Sequence, residues 1–456
     1  MKSIILLLLC WPISVFAGGD LPLAIFKTIG TSNVEEGMDV AIDANGFVYV
    51  LSSTNAAPSS HTDIVVTCMD ANLNCLWSEV YGTGAIEQPS AIAINSANEI
   101  FISGTQLHVG NDGYDIFVMS ISTDGTQLNY ASHSATSWQV AHQMTLLNDR
   151  PLLLIEDYSS VDRYKLLHYN VGDVFEYIAL GTQLSGRIPS AIEVVGQEIY
   201  LASYLDNVNN EETFLNDSKI LKLNSATFSE SNLSVSDTQG NVIINDIFVD
   251  AEGLVHIAGE IDLVDYVSGY YARYDNEGNL LLTAGIGASD DFGFSDVYVT
   301  ADKIVLPGYL KFGGAGKKDA FVMMLEYNGT FAGAPTFGGE EDDFFVNAAF
   351  NDSGEIFCVG TSYSFNGETG ETIVLKLSEA SSGGYQQTVD LNNECLVVNV
   401  QDSTQVLRDI IREEYFDLMG RKMEGNSIQQ IYLKVIYYDN GDVGVSKRLD
   451  SFLPMD

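Results

Sequence analysis

The side chains of this chain best suited to chemistry are six histidines and 62 acidic residues, and their spacing decides which chemistry is open to them. The histidines are His61, His108, His133, His142, His168 and His256. None falls in an HExxH pattern or in a cluster at metal-ligand spacing, which argues against a zinc hydrolase. His256 sits between Val255 and Ile257 and reads as a packed strand residue. No G-x-S-x-G turn offers a serine nucleophile. Ser122-Thr123-Asp124-Gly125 reads as a hairpin turn. Carboxylate pairs serve glycoside hydrolysis when their separation is set by the fold. With 62 acids, pairs arise by chance, so no catalytic residues are expected and a non-enzyme is the reading preferred over an enzyme.

One acidic pattern is positional. Glu35-Glu36, Asp290-Asp291 and Asp342-Asp343 each precede an apolar strand pattern, whereas equivalent places in the third and fourth repeats lack paired acids. Carboxylates gathered this way could take Ca²⁺ or a cationic partner. The plainer reading makes them solvated parts of the repeat's own turn signature. No other cofactor is expected.

What positions these residues is an internal repeat. Gly37 to Asn55 (GMDVAIDANGFVYVLSSTN) is echoed by Gln88 to Gln106, Val140 to Tyr158, Ile188 to Asp206, Ile244 to Asp262, Phe294 to Phe312 and Phe345 to Tyr363. Taking Val40, Ile92, Met144, Ile192, Ile247, Val297 and Ala348 as equivalent gives seven units, 48 to 55 residues apart. Each of the first six holds four short period-two strand patterns separated by Gly and Asx turns, and helical periodicity is nearly absent before about residue 404, which predicts propeller blades. The seventh unit supplies three strands, ending at Thr372 to Ser378, and Leu21 to Gly30 has the pattern of the missing fourth. The fold class is therefore all-β: a seven-bladed β-propeller closed by its N-terminal strand, then a small β-sandwich. In such a ring units one, six and seven are neighbours, and their paired acids form a crescent on one face.

FGGEEDDFFVNAAFNDSGEIFCVGTSYS, GIGASDDFGFSDVYVTADKIVLPGY and DAFVMMLEYNG carry a Gly-Gly acidic lead-in, an Ala-rich strand, an Asp-x-x-Gly turn and a Gly-Thr exit. In these features residues 20 to 380 resemble bacterial β-propeller repeats, which implies architecture and not chemistry. Unit three departs most from the pattern.

Residues 1–17 (Lys2, an apolar stretch, then Val15-Phe16-Ala17) read as a secretory signal, so the mature protein is expected outside the cell. No later stretch has transmembrane length. A net charge of −41 argues against nucleic acid as a partner, and 23 Tyr with 22 Phe argue for a packed core. Cys68 and Cys75 flank a turn, which predicts a cross-strand disulfide as against two free thiols. Whether Cys358 and Cys395 pair is open.

The domains read as 1–17 signal peptide, 18–380 propeller, 381–386 linker and 387–456 C-terminal domain. The segment Glu413 to Leu449 resembles the C-terminal sorting domain of type IX secretion substrates of Bacteroidota, through Asp417, Gly420, Arg421, Tyr432, Asp439, Gly441 and Lys447. That resemblance implies a small β-sandwich that engages outer-membrane secretion machinery and leaves the protein secreted or on the cell surface. The expected function is a non-catalytic module binding a protein or glycan ligand. The alternative is a secreted carbohydrate-active hydrolase or lyase using channel carboxylates.

Overall fold

The computed structural model describes residues 23–389 except 31–33, 56–61, 108–112, 135–137, 159–162, 171, 179, 181–186, 206–217, 228–229, 234–240, 263–266, 286–290, 312–316, 366–369 and 379–386; beyond them it describes 410–417, 431–438 and 443–449. Every regular element among these residues is a strand.

The chain divides into two compact units, one holding Met1–Val389 with Cys395–Asn399 and one holding the remainder. The first is a seven-bladed propeller of four-stranded antiparallel blades. Blade one runs Glu35–Ile42, Val48–Thr54, Asp63–Met69, Cys75–Tyr81, from channel to rim, and blade three runs Gln139–Leu147, Arg150–Asp157, Tyr164–Asn170, Val174–Ile178. Blade seven is Asp343–Phe350, Ile356–Ser362 and Glu371–Ser378, completed by Leu23–Ile29, which pairs antiparallel with Glu371–Ser378 as the repeat count requires. Gln387–Val389 then lies parallel beside Leu23–Ile29.

Local sequence explains these strands. At the foot of blade one Asp43 accepts the amides of Asn45 and Phe47, both at 2.9 Å, and Gly46 takes φ 83°. Asn95, Asp250 and Asn351 repeat the arrangement in blades two, five and seven. The Gly-Thr exit has a steric cause: a Cβ on Gly360 would lie 1.9 Å from the Phe344 carbonyl oxygen, and one on Gly104 2.3 Å from that of Gln88. Those carbonyls belong to the bulged inner strands described below.

The middle strands are buried along their whole length, as in Val48–Thr54 and Asp63–Met69, because a neighbouring blade covers each face. The apolar core accordingly lies in the seams between blades; Tyr49, Ile64 and Val66 of blade one pack with Ile100, Ile102 and Phe117 of blade two.

The expected Cys68–Cys75 bridge is not formed. A bulge at Leu76 sets Cys75 opposite Met69 and Trp77 opposite Cys68. The Cys68 thiol is free and turned into the seam beside Tyr49, whereas Cys75 is exposed and disulfide-bonded to a partner outside the described residues. Cys358 is also a buried free thiol.

In the second unit Ile410–Asp417, Ile431–Tyr438 and Val443–Leu449 form an antiparallel sheet. Asp417 stands opposite Tyr432, and Lys447 opposite Leu433. Gly420, Arg421, Asp439 and Gly441 lie outside the described residues.

Candidate functional site

The upper face of the ring is the one at which the inner strands begin, and the acidic crescent lies there. Its members have different roles. Glu35 is buried and accepts the Thr54 hydroxyl at 3.1 Å. Asp343 is buried too, accepting the Ser362 hydroxyl, Ser364 Oγ at 2.7 Å and the Gly339 amide at 2.9 Å. Burial raises the Asp343 carboxyl above its ordinary range. Asp343 thereby ties down the connection from blade six to blade seven, whereas the Glu35–Thr54 bond lies within blade one. Asp291 pairs with Lys311 at 2.8 Å and accepts the Val267 amide, and Asp290 is outside the described residues. Glu36 accepts the Tyr363 hydroxyl at 3.2 Å. Beside it Lys317, Glu341, Asp342 and Tyr363 line a cavity of about 320 Å³, in which Lys317 pairs with Glu341. Among the described residues no group of three or more His, Cys, Asp or Glu side chains is disposed to hold a metal ion.

The channel carboxylates are committed to the ring itself. A bulge or break interrupts each inner strand, and the residues in or just after it include Asp39, Ala91, Gln143, Ala191, Asp246, Asp296 and Asn347. Asp39 accepts the Val40 amide at 2.7 Å and, from blade two, the Ile92 amide at 2.8 Å. Asp296 takes Val297 at 2.7 Å and Ala348 of blade seven at 2.6 Å. Gln143 accepts the Ile192 amide of blade four and reaches the Asn245 carbonyl of blade five at 3.5 Å, so it partly closes the channel. Burial raises Asp39 and Glu193 to about 7. Burial, then the charge of Asp296, raises the Asp246 carboxyl well above its ordinary range, and the two side chains share a hydrogen bond.

His256 is buried, as its strand position predicts. Its Nε2 meets Asp250 at 2.9 Å and its Nδ1 the Tyr271 hydroxyl at 2.8 Å, while burial lowers its pKa.

A constellation that sequence reasoning missed lies on the upper face of blade three. Glu156 is the penultimate residue of Arg150–Asp157 and is itself buried. Its Oε1 receives Arg163 Nε at 2.5 Å and its Oε2 faces His142 Nε2 at 3.3 Å. His142 is the extra residue of the inner-strand bulge, and it is exposed. Tyr164, at the start of the third strand, also bonds Glu156; burial, then the Glu156 charge, pushes its phenol up to about 12. Arg163 stacks over Tyr158, its guanidinium carbon 3.9 Å from the ring centre. The Tyr158 amide donates to the Trp138 carbonyl at 2.9 Å, and exposed Trp138 meets Tyr114 edge-on at 5.0 Å. One buried carboxylate thus fixes a base, a cation and a phenol within a row of exposed aromatic rings.

No protein-family profile matches the chain, and no characterised protein matches it in sequence. Solved structures do share its fold. A polysaccharide lyase of family PL25, an ulvan lyase, is 13% identical, with a TM-score of 0.51 over 77% of this chain and 96% of that one. The polysaccharide lyase Uly1 is 9% identical, with a TM-score of 0.50 over 79% of this chain and all of that one. At these identities the likeness is one of fold.

Proposed function

We propose that the propeller acts on a carboxylated polysaccharide at the Glu156 cluster of blade three, by elimination. The observation that carries this reading is the convergence of His142, Arg163 and Tyr164 on one buried carboxylate. That two propellers of the same fold are described as polysaccharide lyases supports the substrate class.

The roles follow from the chemistry of each group. Arg163 pairs with the sugar carboxylate and makes the adjacent C–H more acidic. With its Nε2 proton directed at Glu156, His142 keeps the Nδ1 lone pair free to take that proton. Electrons of the C–H bond form the new C=C bond as the neighbouring C–O bond breaks. Tyr164, whose raised pKa keeps it protonated, gives its proton to the departing oxygen, and water returns the proton from His142 to Tyr164. Hydrolysis would need two available carboxylates. Both oxygens of Glu156 are already engaged, and Asp39 and Asp296 of the channel hold backbone amides.

The test is incubation of the full chain with polygalacturonate, hyaluronan and a neutral glucan, following ultraviolet absorbance of a C=C bond conjugated to a carboxylate. A rise with a carboxylated polymer alone supports elimination. Saturable binding without any rise would return the protein to a non-catalytic glycan-binding module.

The export route belongs to the same proposal: residues 1–17 direct secretion, and the C-terminal unit engages an outer-membrane machine of the type IX kind. The leader pattern and the Asp417 to Lys447 motif order support it. Deleting 387–456 in the producing bacterium is expected to trap the protein in the periplasm, and unchanged release would overturn the sorting role.

A further inference from the structure

We propose that Trp138 and Tyr114 form a stacking subsite for one pyranose ring of the polymer, next to the reacting centre; this rests on the polysaccharide reading above. Trp138 immediately precedes the inner strand of blade three and Tyr114 opens the third strand of blade two, so the pair bridges their seam. The rings meet edge-on at 5.0 Å, and Trp138 remains 49% exposed. An indole half exposed to water presents a large apolar surface, and Trp is among the residues that dominate binding interfaces. Most exposed large apolar side chains elsewhere among the described residues stand on the outermost strands, among them Leu76, Leu128, Val174 and Phe331.

Continuity with the Glu156 cluster selects the occupant. From Trp138 the backbone hydrogen bond leads to Tyr158, from Tyr158 the stack leads to Arg163, and Arg163 pairs with Glu156. A polymer whose carboxylate reaches Arg163 has its next ring within this row. A pyranose presents C–H groups on its faces and hydroxyls at its edge, which matches a flat indole bordered by a phenol. Neither ring carries a charge, so the pair holds an anionic chain without itself adding to the repulsion from a protein of net charge −41. Stacking also differs from ion pairing in being insensitive to salt.

The experiment uses the full chain, Trp138→Ala and Trp138→Phe, with polygalacturonate, hyaluronan and xylan as probes and tryptophan emission as readout. Trp77, the other described tryptophan, is held by its Nε1 to the Thr123 carbonyl at 3.1 Å and serves as the reference. Wild type is expected to change emission on adding a carboxylated polymer. Trp138→Ala should lose that change and bind at least about tenfold more weakly, equally at low and high salt, with Trp138→Phe between the two. Equal melting temperatures exclude misfolding as the cause. Binding that persists with affinity unchanged in Trp138→Ala overturns the subsite, and cleavage that persists beside it leaves the elimination intact. An emission change without cleavage keeps the subsite and overturns the elimination. No emission change with any probe overturns the subsite directly.

Discussion

Asp296 and Ala348 stand in adjacent blades, joined by a 2.6 Å hydrogen bond from the Ala348 amide to the Asp296 carboxylate. Bonds of this kind cross several seams around the channel, so one side chain serves two blades at once. Asp296→Ala strands the buried amide of Ala348 and is expected to cost about 1–3 kcal/mol. Urea unfolding checks it, and an unchanged midpoint would remove the stitch from the account of stability.

Stability should fall as pH rises from about 4 toward 7. Asp39 is raised to about 7 in the folded protein and titrates near 4 when unfolded, so the native state holds the extra proton between these values. Its contribution is complete below the unfolded pKa and is lost as pH climbs through the folded one. Asp246 and Asp296 act in the same direction. Melting temperatures from pH 4 to 8 read the slope, and Asp39→Asn, which keeps an oxygen for the Ile92 amide, should flatten it.

His142→Ala and Tyr164→Phe are expected to lower elimination by about 10²–10⁴-fold while polymer binding persists. Glu156→Gln removes the charge that aligns His142 and Arg163, and should lower the rate with both groups still present. Rates measured at saturating polymer separate these losses from weakened binding.

Native protein should resist thiol reagents at Cys68 and Cys358. Both are buried, and burial pushes the Cys68 thiol up to about 12 and Cys358 well above its ordinary value. Labelling with a disulfide reagent before and after unfolding is expected to report two further thiols only in the unfolded chain.

Gly360→Ala tests the steric reading of the Gly-Thr exit. A Cβ 1.9 Å from the Phe344 oxygen forces the bulged strand away, at a cost of roughly 1–3 kcal/mol or more. A melting temperature within a degree of wild type would show that the strand yields freely.

The blades were legible in the sequence because their signals are local. Asp43 with Gly46, and the glycines at 104 and 360, recur for reasons of turn geometry and clearance that any copy of the repeat must meet. Closure followed from counting, since three strands at one end required a fourth at the other. The burial of two of the six crescent residues was not legible because composition does not tell whether an acid faces water: Glu35 and Asp343 turn inward to hydroxyls and amides, while Glu36 meets Tyr363 and Asp342 borders the cavity. The Cys68–Cys75 pairing failed on a one-residue bulge that a turn count does not reveal. The Glu156 cluster was hidden for a different reason. His142, Glu156, Arg163 and Tyr164 are spread over 23 residues of the third unit and meet only through a bulge and a strand pairing. Two signals did point there: that unit departs most from the repeat, and it holds two of the four arginines of residues 20 to 380.

The closing strand sets a condition on how the ring comes into being. Phe26 finds its partner in Leu375, about 350 residues later. Contacts so distant in the chain are slow to form, because loop closure must be overcome before they contribute. The first strand to be made is therefore the last to be placed. Until then the third strand of blade seven offers an open edge, and any second molecule with a free copy of Leu23–Ile29 is a competitor for it. Dilute refolding is expected to favour the closed ring, and crowded refolding to join neighbouring chains through a shared blade.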